Sequence, residues 1–257
     1  LKKFSLYNLE NMEKGILYIV ATPIGNLSDI TYRAVETLKK VDLIVCEDTR
    51  NTKRLLEKYE IKTNAMCFYA GGGKGAVKPR IKDDFIVEEL KSGKNLALVT
   101  DAGTPGVSDP GNQIVAKAIE KGIVVIPIPG ASALTTLISV SGIDMQKFVF
   151  LGFPPHKKGR ETFFKEVAGF QIPVGYYESP HRVIKNLELL FVIASGVKQS
   201  SEIATSPMAP RKDIRLIVGR ELTKMFEEIV RGNVQEVLNY FENNQSKIKG
   251  EFVIIVY

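Results

Sequence analysis

The chain has 257 residues and carries 35 Lys and Arg against 29 Asp and Glu, a formal net charge of +6 with a pI near 9.1. That length suits one large or two moderate domains, and 44% hydrophobic residues supply ample core. Apolar runs are broken by charge or Gly well before the roughly 20 residues a membrane span needs. Two cysteines, Cys46 and Cys67, have no CxxC spacing, and two histidines, His156 and His181, form no HExxH pattern, so no metal site is expected.

The opening, LKKFSLYNLENMEKG, is basic but lacks the apolar core of a signal peptide. Met12 is a candidate start, and residues 1–14 are expected to form an N-terminal extension. Ile16 to Ala21 is a short apolar run that predicts a first strand, ending in TPIGNL. Ser28 or Asp29 can cap the following helix, in which Ile30, Ala34, Leu38 and Val41 recur at helical spacing. Val41 to Cys46 predicts a second strand running into EDTR, Glu47 to Arg50, and then a helix with Leu55, Leu56 and Tyr59 on one face. Ala65 to Tyr69 predicts a third strand. The stretch after it, AGGGKGAVKPR, has four Gly and three basic residues but fails the phosphate-loop pattern, because Gly75 follows Lys74 where Ser or Thr is required.

A helix over Ile81 to Ser92 leads to the fourth strand, Asn95 to Thr100, and to the most distinctive stretch of the chain, LVTDAGTPGVSDPG. Loops between strand and helix usually take about 2–6 residues. This one is longer and is dense in Gly, Pro and Asp, as a ligand-holding strand end of an α/β sheet would be. A helix over Gln113 to Lys121 and a fifth strand over Ile123 to Ile128 follow, then PIPGASAL and an apolar helix to about Ser141. Five alternations of strand and helix predict a parallel sheet covered on both faces, closing near residue 129.

The second half predicts strands at Phe148 to Gly152, Val174 to Tyr177, Ile214 to Gly219, Phe226 to Arg231 and Glu251 to Tyr257, with helices at Arg182 to Ala194 and Val234 to Asn243. This is an α/β pattern with a mixed sheet. FPPHKKGR, Phe153 to Arg160, is the most basic loop. Ser195 to Lys212 has no helix or strand period and is expected to be an inserted loop. The fold class is therefore α/β with two α/β domains, an N-terminal parallel sheet and a C-terminal mixed sheet. The expected boundaries are 1–14 extension, 15–129 first domain, and 130–257 linker helix and second domain with an insertion at 195–212.

In this order and spacing, YIVATPIGNLSDIT, CEDTR, LVTDAGTPGVSDPG, PIPGASAL, YESPHR and GRELTK resemble the bacterial small-subunit ribosomal RNA (cytidine-2′-O)-methyltransferases of the tetrapyrrole-methylase superfamily, over about Gly15 to Tyr257. Two stretches depart from that pattern, Ala70 to Arg80 and Ser195 to Lys212. The resemblance implies a cytoplasmic homodimer that binds S-adenosylmethionine in a cleft between two α/β domains and methylates a cytidine ribose of 16S ribosomal RNA in the small subunit. It places the cofactor against Pro23, the loop Asp101, Ala102, Gly103, Thr104, Pro105 and Gly106, and the turn Gly130, Ala131 and Ser132.

Transfer of a methyl group to a ribose hydroxyl requires in-line alignment and help in losing the hydroxyl proton. Glu47, Asp48 and Glu178 are the candidate bases. Arg50, Arg182 and Lys224 are candidate phosphate or orientation groups, and Lys157, Lys158 and Arg160 candidate RNA contacts. Three other readings compete: a methylase of another acceptor such as a tetrapyrrole, a non-catalytic RNA-binding assembly factor, and a magnesium phosphohydrolase built on Asp48, Asp101 and Asp109.

Overall fold

The computed structural model describes residues 14–68, 82–109, 111–196 and 213–257. The expectations for residues 1–13, for the glycine-rich stretch 70–80 and for most of the insertion, 197–212, lie outside the described residues. The chain divides into two compact units, Leu1–Ser132 and Ala133–Tyr257.

The first unit is a five-stranded sheet, all of its strands parallel. Its strands are β1 (Ile16–Val20), β2 (Leu43–Cys46), β3 (Ala65–Cys67), β4 (Leu96–Leu98) and β5 (Val124–Ile128). The helices between them are α1 (Tyr32–Lys40), α2 (Thr49–Lys58), α3 (Asp83–Lys91) and α4 (Gly111–Glu120). Strand order is β3-β2-β4-β1-β5. Side chains of a strand alternate between faces, and both faces here are apolar and covered. Leu17, Leu43, Val45, Leu96 and Leu98 pack with Ile86 and Leu90 of α3 and Ile114 and Ala118 of α4. Val20, Ile44, Cys46, Ala97 and Val99 pack with Ala34 and Leu38 of α1 and Leu55 and Leu56 of α2. From β1 the chain winds one way across the sheet, and from β4 the other way. The loops after β1 and β4 thus leave a point where winding direction reverses, the place where open α/β sheets bind ligands.

The cap expected at Ser28 or Asp29 sits elsewhere. Leu27–Asp29 forms a short 3-10 turn, and Thr31 caps α1 by accepting from the Ala34 amide. A capping side chain belongs to the residue directly before the first helical one, and for a helix that begins at Tyr32 that residue is Thr31.

The second unit has a five-stranded sheet in the order β6-β7-β10-β8-β9. Its strands are β6 (Val149–Phe150), β7 (Val174–Glu178), β8 (Arg215–Arg220), β9 (Glu228–Asn233) and β10 (Phe252–Val256). β6 and β7 are parallel and the other neighbours antiparallel, so the sheet is mixed. Its helices are α5 (Ala133–Ser139), α6 (Arg160–Gly169), α7 (Val183–Ala194) and α8 (Val234–Asn243). Phe252, Ile254 and Val256 alternate on to the core shared with Phe164, Val167, Leu187, Leu190, Val237 and Phe241.

Three sequence expectations are corrected here. The strand expected from Phe226 begins two residues later, at Glu228, because Phe226 turns its carbonyl to the Arg220 guanidinium. The helix expected over Arg182 to Ala194 starts one residue later, at Val183, with Arg182 at its cap position. Helix α6 was not expected at all: Gly159 precedes it with φ +88° and no side-chain cap, so the usual start signal is missing.

Candidate functional site

The loops at the carboxyl ends of β1, β4 and β5 are joined directly to one another. Thr22 and Gly103 exchange backbone hydrogen bonds, Thr22 N to Gly103 O at 2.9 Å and Gly103 N to Thr22 O at 3.1 Å. The Thr22 hydroxyl donates to the Thr100 carbonyl at 3.1 Å, and the Thr104 hydroxyl donates to the Ala131 carbonyl at 3.1 Å. Pro23, Gly103, Thr104 and Ala131 are therefore held as one surface, although they come from three separate stretches of the chain. Pro23, Gly103 and Pro105 are buried, while Asp101, Ala102 and Gly130 stay exposed at the rim.

Two glycines let the backbone come close. Gly103 has φ +85°, which favours Gly. A Cβ at Gly130 would stand 2.9 Å from the Ala21 Cβ, closer than two carbons pack. The long loop is braced from inside by Asp109, whose carboxylate accepts from the Gly106 amide at 2.6 Å and the Gly111 amide at 2.8 Å.

Beside this surface the chain places three carboxylates. Glu47 accepts from the Thr100 hydroxyl at 2.8 Å and from the Asp101 amide at 3.1 Å. Asp101 accepts from the Asp48 amide at 3.1 Å and from Asn51 Nδ2 at 3.0 Å. Asp48 caps α2 through the Arg50 amide and pairs with the Arg50 guanidinium at 2.5 Å. Although Asp101 as a residue is exposed, both its carboxyl oxygens are engaged. Burial of that carboxyl pushes it above the usual carboxylate range; the Asn51 bond opposes the shift, and the charges of Glu47 and Asp48 reinforce it. A cluster with more carboxylates than cations suits a positively charged ligand. Among the described residues, no group of three or more His, Cys, Asp or Glu is arranged to hold a metal ion.

The second unit treats its expected site residues differently. Glu178 has a fully enclosed side chain, accepts from the Ser179 amide at 2.7 Å and from Asn186 Nδ2, and lies 3.6 Å from Arg182. Burial raises its carboxyl, against the opposing pull of those partners. Arg182 donates to the Pro154 carbonyl at 3.0 Å and the Ser179 hydroxyl at 3.1 Å. Lys224 is held by Glu221 at 2.8 Å and Glu251 at 3.0 Å. Lys157 and Lys158 are exposed and Arg160 partly so.

Sequence reasoning passed over Thr22, Thr100, Asn51 and Asn186, which tie these groups together. Asn51 carried a usable signal, since it stands in the first turn of a helix that begins at a strand end.

Residues 16–238 match the family model of the tetrapyrrole (corrin/porphyrin) methylases. A ribosomal RNA small subunit methyltransferase I from Leptospira biflexa is 43% identical over 251 residues, covering 95% of this chain and 91% of that protein. Another of the same name, from Halalkalibacterium halodurans, is 40% identical over 245 residues, covering 95% and 76%. A solved cobalt precorrin-4 methyltransferase of cobalamin biosynthesis superposes with a TM-score of 0.64 over 93% of this chain and 94% of its own, at 15% identity, a likeness of fold alone. With that fold, and with two such relatives along nearly its whole length, the chain belongs to the tetrapyrrole methylase family and, within it, to the ribosomal RNA small subunit methyltransferases I.

Proposed function

We propose that this protein transfers a methyl group from S-adenosylmethionine to the ribose 2′-hydroxyl of a cytidine in 16S ribosomal RNA of the small subunit. The observation that carries the reading is the stitched surface of Thr22, Gly103 and Thr104 with Ala131, set beside Glu47, Asp48 and Asp101 in a chain of this family. When bound, S-adenosylmethionine supplies a methyl group activated by a positively charged sulfur. The residues present fit such a donor. Gly103 and Gly130 let the β1, β4 and β5 loops close against one another without side chains between them, and the carboxylate cluster favours a cation.

Pro23, the loop Asp101 to Gly106, and the turn Gly130 to Ser132 would hold the donor, with the Thr22 and Thr104 hydroxyls fixing their spacing. For the proton of the ribose hydroxyl the proposal keeps Glu47 and Asp48, which are partly exposed. It leaves out Glu178, whose enclosed carboxylate is committed to Ser179 and Asn186. Phosphate contacts fall to Lys157, Lys158 and Arg160, because Arg182 and Lys224 are occupied in ion pairs and Arg50 in its pair with Asp48. The reading takes the protein to act in the cytoplasm as a homodimer, where its ribosomal substrate is made. Among the described residues no helix is long and apolar enough to cross a membrane.

The test is methyl transfer from labelled S-adenosylmethionine to small ribosomal subunits that lack the modification. A 2′-O-methylated ribose has no free hydroxyl to attack its neighbouring phosphate, so the label should survive alkaline hydrolysis in a dinucleotide. Label on a base, or none in RNA, contradicts the proposal.

A further inference from the structure

We infer that Phe153 is a stacking platform for an unpaired RNA base, and that the partly exposed Arg182, paired with the buried Glu178, positions it. The inference rests on the reading of this chain as an RNA methyltransferase and adds to it a recognition residue that is neither a charge nor part of the cofactor surface.

Phe153 leaves the end of β6 on a segment with little freedom. The Leu151 amide donates to the Gly175 carbonyl at 3.0 Å, and the Gly152 carbonyl accepts from the Tyr177 amide at 2.8 Å. Pro154 and Pro155 follow and fix the backbone further. The Phe153 ring lies 5.3 Å from the Tyr177 ring at 56°, and Tyr177 is itself seated edge-on against Phe150 at 5.0 Å. One side of the ring is thus supported by aromatic packing, while the residue keeps 51% of its surface in water. An apolar side chain held rigid and wet is unfavourable for the isolated protein, and it becomes favourable when a flat partner covers it.

The hold on this segment runs back to the YESPHR block. Arg182 reaches the Pro154 carbonyl at 3.0 Å, the residue directly after Phe153. Its guanidinium is steadied by the enclosed Glu178 carboxylate at 3.6 Å and by the Ser179 hydroxyl at 3.1 Å. Glu178 and Arg182 act through Phe153 and are positioning residues.

Charge decides which flat partner fits. Lys157 and Lys158 follow within five residues, exposed and without an ion-pair partner among the described residues. Sequence-selective RNA recognition stacks splayed bases on aromatic rings while cations take the phosphates. A second copy docking by this same face would bring its own Lys157 and Lys158 on to these two.

The experiment measures affinity for unmodified small ribosomal subunits, over a range of salt, for the wild-type protein and for Phe153→Ala, Phe153→Leu and Phe153→Trp. Phe153→Ala should weaken binding about 5- to 150-fold, the worth of one base–aromatic stack. Phe153→Leu should lose nearly as much although it keeps apolar bulk, and Phe153→Trp should retain the affinity. The dependence on salt should stay unchanged, because no phosphate contact is removed, and affinity for S-adenosylmethionine should not move. Phe153→Ala or Phe153→Leu binding within about twofold of wild type would overturn the inference, as would a change of oligomeric state in Phe153→Ala, which would seat the ring against a second copy. If wild type itself fails to methylate the subunits, the functional reading fails; if it methylates them and Phe153→Ala binds unchanged, only the stacking role fails.

Discussion

At Gly130 the space for a side chain is already taken by Ala21, whose Cβ would lie 2.9 Å from a new one. Ala21 is also tied into the sheet, its amide donating to the Ile128 carbonyl at 3.1 Å. A methyl at position 130 therefore has to push the β5 loop away from the β1 loop, and with it the Ala131 carbonyl that Thr104 bonds. Gly130 is not among the residues with positive φ, so the damage comes from crowding and not from backbone strain. We expect Gly130→Ala to weaken binding of S-adenosylmethionine, and the double variant Gly130→Ala with Ala21→Gly to recover most of it. Calorimetric titration of the wild-type protein, of Gly130→Ala and Ala21→Gly singly, and of the double variant forms a double-mutant cycle. Purely additive effects would show that the crowding is not what matters.

Helix α8 and helix α6 show what an element needs in order to be legible. Asn233 and Glu236 form a reciprocal capping box, with the Asn233 side chain accepting from the Glu236 amide and the Glu236 carboxylate from the Asn233 amide. Those two residues stand in the sequence at the required spacing, and the expected helix, Val234 to Asn243, has the observed bounds. Helix α6 has Phe163, Phe164, Val167 and Ala168 buried at helical spacing, a signal that was present in the sequence. A run of loop-like Pro, Gly and Lys before it and an uncapped glycine at its start mask that signal.

Strand β7 carries the titration that can be tested at this scale. Burial lifts the Glu178 carboxyl above its ordinary value of 4.5. A raised folded-state value means the folded form binds its proton more tightly than the unfolded chain does. The contribution is therefore complete below about 4.5 and is lost as pH rises through the raised value. Glu178→Gln removes that loss. Its stability relative to wild type should improve as pH rises from about 4.5 through the raised value and level off above it, as read by denaturant unfolding at several pH values. A constant difference across that range would mean that Glu178 does not titrate as its surroundings require.

On the scale of the whole chain, the division into two α/β units and the parallel and mixed character of the two sheets follow from apolar runs alternating with helical periods. The convergence of the first unit's loops does not. β4 inserts between β2 and β1, so Thr22 and Gly103 become neighbours across 81 positions of sequence, and no local pattern announces such a pairing. The carboxylate cluster has the same origin, because Glu47 and Asp101 meet only when β2 and β4 lie side by side. The motif residues could be named in advance, but the hydroxyls and amides that fix their spacing needed the strand order.

The proposed methyl transfer depends on the loops after β1, β4 and β5 holding a cationic methyl donor beside Asp101. Titration calorimetry with S-adenosylmethionine on the wild-type protein and on Asp101→Ala, each checked for an intact fold by circular dichroism, tests it most directly. The wild-type protein should bind saturably, and Asp101→Ala should show no measurable binding at unchanged secondary structure. Binding that survives in Asp101→Ala at wild-type strength, or a folded wild-type protein that binds none, would contradict it.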